Sequence, residues 1–199
     1  MDPRSCRYYC GGIENGMMNA AAVEMAKYYE FPVIASGFGT DTFSPSIQSG
    51  MERSLNAVLP AMAHPDILIG PGLFGGDMIL NFEQIILDVE TYRNTQQIKR
   101  GLKPEDFDWS KAAISQTGPG GNYLTHHSTA KNIRSGNWYI PQLGVHSSFE
   151  KWEAEKQQSL VEEARSQVDK ILESHECLPF SKEVERELSQ IVKSSQKVT

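Results

Sequence analysis

The sequence predicts an α/β fold with a parallel sheet, on three observations. Helical and strand-like segments alternate from residue 14 to residue 101 with short connections. The two strand-like segments, FPVIAS at 31–36 and DILIG at 66–70, are apolar throughout, as when helices cover a sheet or a barrel encloses it. Each runs directly into a polar, glycine-rich turn.

From Glu14 to Tyr29 the apolar positions Met18, Ala22, Met25 and Tyr29 recur at helical spacing, which marks an amphipathic helix. The first strand follows, and then the turn SGFGTDTFS at 36–44. Ser44 reads as an N-cap with Pro45 at the first helical position, and Ile47, Met51, Leu55, Val58 and Met62 line one face of a second helix. The second strand leads into PGLFGGD, within a turn spanning 71–81. A third helix carries Phe82, Ile85, Ile86, Val89 and Tyr92 on one side, with Gly101 as its stop.

In α/β folds the turn leaving the C-terminal end of a strand faces the ligand site, so the turns at 36–44 and 71–81 are the expected site. Gly37, Gly39, Gly72, Gly75 and Gly76 let the main chain approach a ligand. Asp41, Asp77 and Glu83 supply carboxylates, and Phe38, Phe43, Phe74 and Phe82 supply rings. Carboxylates beside rings suit a cationic ligand. The alternative reading places the phenylalanines in the core and has the aspartates hold turns, Asp41 bonding turn amides.

Downstream, SQTGPGGNYLTHHST at 115–129 is a third glycine-rich segment, with His126 and His127 adjacent. Two charged helices are expected near 148–176 and 181–195. Their stripes, Leu160, Ala164, Val168 and Ile171, then Val184, Leu188 and Ile191, read as packing faces.

Composition narrows the function. The 199 residues hold 39% apolar and 22% charged side chains with a net charge of −6, as in a globular protein without a basic stripe for nucleic acid. No apolar run spans a bilayer and MDPRSCRYYCGG has no signal-peptide core, so a cytoplasmic protein without membrane contact is expected. The three cysteines give no disulfide framework. Cys6 and Cys10, with His126 and His127 far downstream, do not have the spacing of a zinc ribbon, and no metal is expected.

Four stretches, GGIENGMMNAAAVEMAKYY, TDTFSPSIQSGMERSL, NFEQIILDVETY and TGPGGNYLTHHST, together resemble the trimethylamine:corrinoid methyltransferase family in order and approximate spacing. The last is close to that family's GPGG-aromatic-Leu-x-His pattern. The resemblance implies a (β/α)8 TIM barrel that moves a methyl group from a methylated amine to the cobalt of a corrinoid (cobalamin) carried by a partner protein. It further implies that this chain is a C-terminal portion of the barrel: two parallel strands with their helices in 1–110, then an extension of loop and helices in 111–199. Family members are more than twice as long, and MDPRSCRYYCGG corresponds to the loop after an inner barrel strand, so that Met1 matches an internal methionine. Two strands cannot close such a barrel. The N-terminal half of the barrel, or a homo-oligomer, is therefore an expected partner.

The trimethylamine enzymes carry pyrrolysine in the turn corresponding to 36–44, near Phe38 or Gly39, and this chain has ordinary residues there. Members of that kind demethylate quaternary amines such as betaines, whose nitrogen leaves as a neutral amine without a general acid. On the resemblance, Asp41, Phe43, Glu83 and Phe38 are candidates for substrate contact, and His126, Gly120 and Gly121 for corrinoid-side or ligand contact. Asn122 and Ser128 stand where the family often has histidines. No residue reads as nucleophile or general base. The expected function is thus methyl transfer from trimethylamine or a quaternary amine, dormant without the N-terminal half. The alternative is a non-catalytic remnant or interaction module, and a zinc-dependent methyltransferase rests only on the cysteine and histidine count.

Overall fold

The computed structural model describes residues 1–101, 108–154 and 159–195. In chain order the elements are α1 (Ile13–Tyr28), β1 (Ile34–Ser36), α2 (Ile47–Met62), β2 (Ile67–Ile69), β3 (Leu73–Phe74), β4 (Ile79–Leu80) and α3 (Phe82–Arg100). They continue as α4 (Asp108–Thr117), α5 (His127–Ile133), α6 (Phe149–Ala154), α7 (Leu160–Ser174) and α8 (Lys182–Ser195). Strands β1 and β2 pair in parallel with Ile34 opposite Ile67, Ala35 opposite Leu68 and Ser36 opposite Ile69. The chain divides into two compact units, Met1–Val168 and Asp169–Thr199. Among the described residues no helix is long and apolar enough to cross a membrane.

The alternation of helix and parallel strand is as the sequence indicates, with local corrections. Helix α2 is capped by Ser46, not Ser44: Ser49 N donates to Ser46 Oγ at 3.1 Å and Ser46 N to Ser49 Oγ at 2.9 Å. This reciprocal cap satisfies two amide groups, which leaves Pro45 outside the helix. The turn at 71–81 contains an antiparallel hairpin, Leu73 opposite Leu80 and Phe74 opposite Ile79. Two-residue strands are too short to show periodicity. Asn81 then caps α3, accepting from Gln84 N at 2.7 Å, and Gly101 ends it at φ +68°. Downstream, α4 and α5 replace much of the expected loop, and the helix expected over 148–176 is instead α6 and α7, with residues 155–158 outside the described ones.

The helix faces are the larger correction. Helix α1 buries Gly16 and Val23 and leaves Met18, Met25 and neighbouring Tyr29 exposed. Helix α2 buries Ser49, Arg53, Asn56, Ala57, Pro60 and Ala61, while Ile47, Met51, Leu55 and Met62 face outward. Helix α3 buries Gln84, Asp88 and Thr95, with Phe82, Val89 and Tyr92 exposed. The sheet shows the same inversion. Ala35 is buried, whereas Ile34, Ile67 and Ile69, which register places on the opposite face, are 61%, 52% and 49% exposed. Periodicity shows that a face is apolar, not what covers it.

The covered faces are instead locked by polar contacts. Arg53 Nη1 donates to Asp88 Oδ2 at 2.6 Å, Arg53 Nη2 donates to Leu73 O, and the guanidinium lies 4.4 Å from the Phe74 ring centroid. Asp88 also accepts from Gly72 N at 2.7 Å and from Gln84 Nε2 at 2.9 Å. Burial pushes Asp88 up and Arg53 down, each opposed by the other's charge. Along α3, Glu90, Arg93, Gln97 and Arg100 form one polar row that holds residues 137–142. Glu90 accepts from Tyr139 Oη and from Gln142 N at 3.1 Å, Arg93 donates to Gln142, Gln97 Nε2 donates to Asn137 O at 3.2 Å, and Arg100 reaches the same carbonyl at 2.8 Å.

In the second unit every described residue of α8 is exposed, Val184, Leu188 and Ile191 included. In α7, Ala164 is buried and Val168 half-buried, while Leu160 and Ile171 are exposed.

Removing one partner of the Arg53–Asp88 pair strands the other charge, so Arg53→Met or Asp88→Leu alone is expected to cost about 3–5 kcal/mol. The double variant Arg53→Met/Asp88→Leu should unfold at a higher denaturant concentration than either single variant, as followed by circular dichroism. Additive losses would show that the pair is not coupled.

Candidate functional site

The turn after β1 is supported from below by side chains of α1 and α2. Glu52 Oε2 accepts from Thr40 Oγ1 at 2.6 Å and from Asp41 N at 3.0 Å. Asn56 Nδ2 reaches the carbonyls of Gly11 and Gly39 at 3.2 and 3.4 Å. From α1, Asn15 Nδ2 donates to Cys10 O at 3.0 Å, and Asn19 Oδ1 accepts from Ser36 N at 3.1 Å. These polar residues occupy the buried helix faces where hydrophobic patterning places nothing, which is why the sequence did not single them out.

Asp41 spends both oxygens on the N-terminal loop: Oδ1 accepts from Cys10 N at 3.0 Å and Oδ2 from Gly11 N at 3.2 Å. It is a pin between that loop and the turn, and its charge stays at the mouth. The Cys10 thiol is buried, donates to Thr40 O at 3.0 Å, and is pushed up to about 11 by desolvation and by the neighbouring Asp41 carboxylate. A thiol so held is protonated near neutral pH and is no nucleophile.

The two turns meet at the C-terminal ends of the parallel strands. Gly75 N donates to Thr42 O at 2.8 Å, and the Phe43 ring lies over Gly75. Tyr8, absent from the sequence-based set, stands over Gly76 in the same way. Gly75, Gly76 and Asp77 have φ of +58°, +66° and +70°, a left-handed run that glycine makes easy and that leaves a floor without side chains under both rings. Asp77 is exposed, and among the described residues its carboxylate has no hydrogen bond or ion pair.

The remaining candidates lie elsewhere. Phe38 is 1% exposed at φ +59°, so its ring packs in the core, not at the mouth. Glu83, in the first turn of α3, accepts from Arg165 Nε at 2.9 Å, and that hydrogen bond holds its carboxyl below the usual range. His126 caps α5: Nδ1 accepts from Ser128 N at 3.3 Å and lies 2.6 Å from Ser128 Oγ, which leaves the Nε2 proton facing Gln116 Oε1 at 3.0 Å. Gly120 and Gly121 are exposed, Gly120 at φ +74°. The hydrogen bonds of residues 120–128 run within the segment, to α5 and to α4, so the structure gathers Asp41 and Phe43 at one mouth and gives His126 a separate, capping position. Among the described residues no three His, Cys, Asp or Glu side chains converge as a metal site.

Comparison with known proteins follows this geometry. Residues 1–198 match the family model described as trimethylamine methyltransferase (MTTB). The trimethylamine methyltransferase MttB of Methanosarcina barkeri is 24% identical over 187 residues, covering 94% of this chain and 37% of that protein. MttB of Desulfitobacterium hafniense is 24% identical over 196 residues, with 98% and 39% covered. The L-carnitine:corrinoid methyltransferase of Eubacterium limosum is 26% identical over 178 residues, with 88% and 36% covered. The chain thus spans less than two-fifths of the length of these relatives.

The thiol environments give a direct check. Cys6 and Cys177 are exposed and Cys10 is buried, so iodoacetamide at pH 8 is expected to alkylate the first two and to spare Cys10 until denaturant is added. Peptide mass mapping reads the outcome, and rapid labelling of Cys10 in the folded chain would contradict the packing of the N-terminal loop on Asp41.

Proposed function

The chain belongs to the trimethylamine methyltransferase family, and from that premise we propose that it is the C-terminal part of a corrinoid-dependent methyltransferase acting on a methylated amine. In this reading β1 and β2 are two strands of a (β/α)8 TIM barrel within residues 1–110, and 111–199 form an extension. The expected boundary between them, at 110–111, falls within α4 (Asp108–Thr117).

The observation that carries the reading is the mouth at the ends of β1 and β2. Rings and carboxylates are present there, while the thiol beside them is protonated and buried. Such a site can hold and orient a cation but has no nucleophile of its own. That fits a reaction in which the nucleophile comes from outside. A partner protein's corrinoid, when bound, would supply a reduced cobalt that accepts the methyl group. This chain's part is electrostatic: Asp41 and Phe43 keep a positively charged nitrogen at the mouth with one methyl group directed outward. Glu83 and Phe38 remain secondary candidates for substrate contact, Glu83 being engaged by Arg165 and Phe38 buried. Gly120, Gly121 and His126 are the surface proposed for the corrinoid side.

The choice of substrate rests on the turn at 36–44, which holds only ordinary residues. With no group for covalent capture, a quaternary amine is the better fit, because its nitrogen departs neutral without a proton donor. The L-carnitine:corrinoid relative is compatible with that choice.

A second reading, a non-catalytic interaction module, draws on the exposed isoleucines of the sheet and the exposed faces of α1, α2 and α3. One assay separates the two. The chain is co-expressed with a polypeptide carrying the other barrel strands and given a betaine, L-carnitine or trimethylamine with a reduced corrinoid protein. Loss of the Co(I) absorbance with the quaternary substrates, and none with the chain alone, is the expected result. No transfer by a folded, complemented barrel would leave the interaction module standing.

A further inference from the structure

We infer that Phe43 over Gly75 and Tyr8 over Gly76, with Asp77 next in the chain, form the surface that grips the methyl faces of a quaternary ammonium group. This rests on the functional reading above and adds to it a second ring and a second carboxylate, one of them from the N-terminal loop.

The geometry sets each ring against one glycine of the same turn. A Cβ on Gly75 would meet the Phe43 ring at 2.7 Å, and one on Gly76 would meet the Tyr8 ring at 3.1 Å. Consecutive Cα atoms are about 3.8 Å apart, so both rings rest on adjacent residues of one left-handed turn. Both remain 65% exposed, with ring surface left for a ligand. The turn is held in place by the hydrogen bond from Gly75 N to Thr42 O, next to Phe43 itself. The Tyr8 position is fixed from the other side, because Asp41 binds the amides of Cys10 and Gly11 two and three residues further on.

The electrostatics select the ligand class. Asp77 has no hydrogen-bond or ion-pair partner among the described residues, and Asp41 lies two residues before Phe43 in the chain. Desolvation pushes the Tyr8 phenol up, and the negative charges of Asp77 and Asp41 push it further. Anions are repelled here. A primary ammonium seeks acceptors for its N–H groups, whereas a tetraalkyl cation has none and needs only ring faces and diffuse negative charge.

Saturation-transfer NMR on the full chain, with choline as probe and 3,3-dimethylbutan-1-ol as its neutral isostere, tests this. The choline methyl protons should receive saturation, and the isostere should bind at least about fivefold more weakly. Tyr8→Leu and Phe43→Leu should each lower choline affinity about five- to tenfold, and Tyr8→Phe should retain it, which separates loss of the ring from loss of the fold. Asp77→Asn should weaken binding and flatten its dependence on salt. Equal binding of the two probes, unchanged affinity in Tyr8→Leu, or no saturation of choline by the folded chain would overturn the inference. Choline binding of the expected kind with no methyl transfer by the complemented barrel would instead overturn the functional reading alone. Methyl transfer undiminished in Tyr8→Leu would overturn this inference and leave that reading intact.

Discussion

An arginine buried beneath a short hairpin sets the constraints for the rest of the fold. Arg53 reaches from α2 to Asp88 on α3 and to the carbonyl of Leu73, with the Phe74 ring 4.4 Å away. Asp88 in turn holds Gly72 N at 2.7 Å. Two helices and one turn are therefore fixed by a single charge cluster. That cluster sets the course of residues 72–76, and the Gly75–Gly76 floor carries the exposed rings. A buried ion pair adds little net stability over well-packed apolar residues, but it is intolerant of the wrong geometry. Its consequence here is positional: the mouth is where it is because Arg53 admits one arrangement of the hairpin.

The same cluster explains why the helices present their apolar sides outward. With Arg53, Asn56, Gln84 and Asp88 occupying the covered faces, the methionines and leucines of α1 and α2 are left on the other side. On the sheet, Ile34, Ile67 and Ile69 share an exposed face. Burial of each such side chain is worth about 1.5–3 kcal/mol, so a face of three is a substantial driving force toward a covering surface. Parallel sheets occur almost only with both faces covered. In the proposed barrel the bare face of β1 and β2 is the interior.

Much of this was legible in the sequence. Ile13–Tyr28, Ile47–Met62 and Phe82–Arg100 are found where apolar spacing and Gly101 indicate helices, and the two apolar runs become the parallel pair. What hydrophobic spacing could not reveal was direction, since Met18 or Met51 reads as core whether or not anything covers it. Nor could it reveal the polar interior. Arg53 and Asp88 are 35 residues apart, and nothing local marks them as partners. Of the candidate site, Asp41 and Phe43 were identifiable from a glycine-rich turn after a strand. Tyr8 was not, because its place depends on Asp41 drawing the N-terminal loop onto that turn. His126 was visible as a histidine in a loop, but its capping bond to Ser128 emerges only once α5 forms.

The central claim is that the bare sheet face belongs against protein. The mass of the chain in solution, measured by size-exclusion chromatography with light scattering while a solvatochromic dye reports exposed apolar surface, tests it most directly. The account predicts self-associated species that bind the dye. A monodisperse monomer of 22.2 kDa that leaves the dye dark would contradict it.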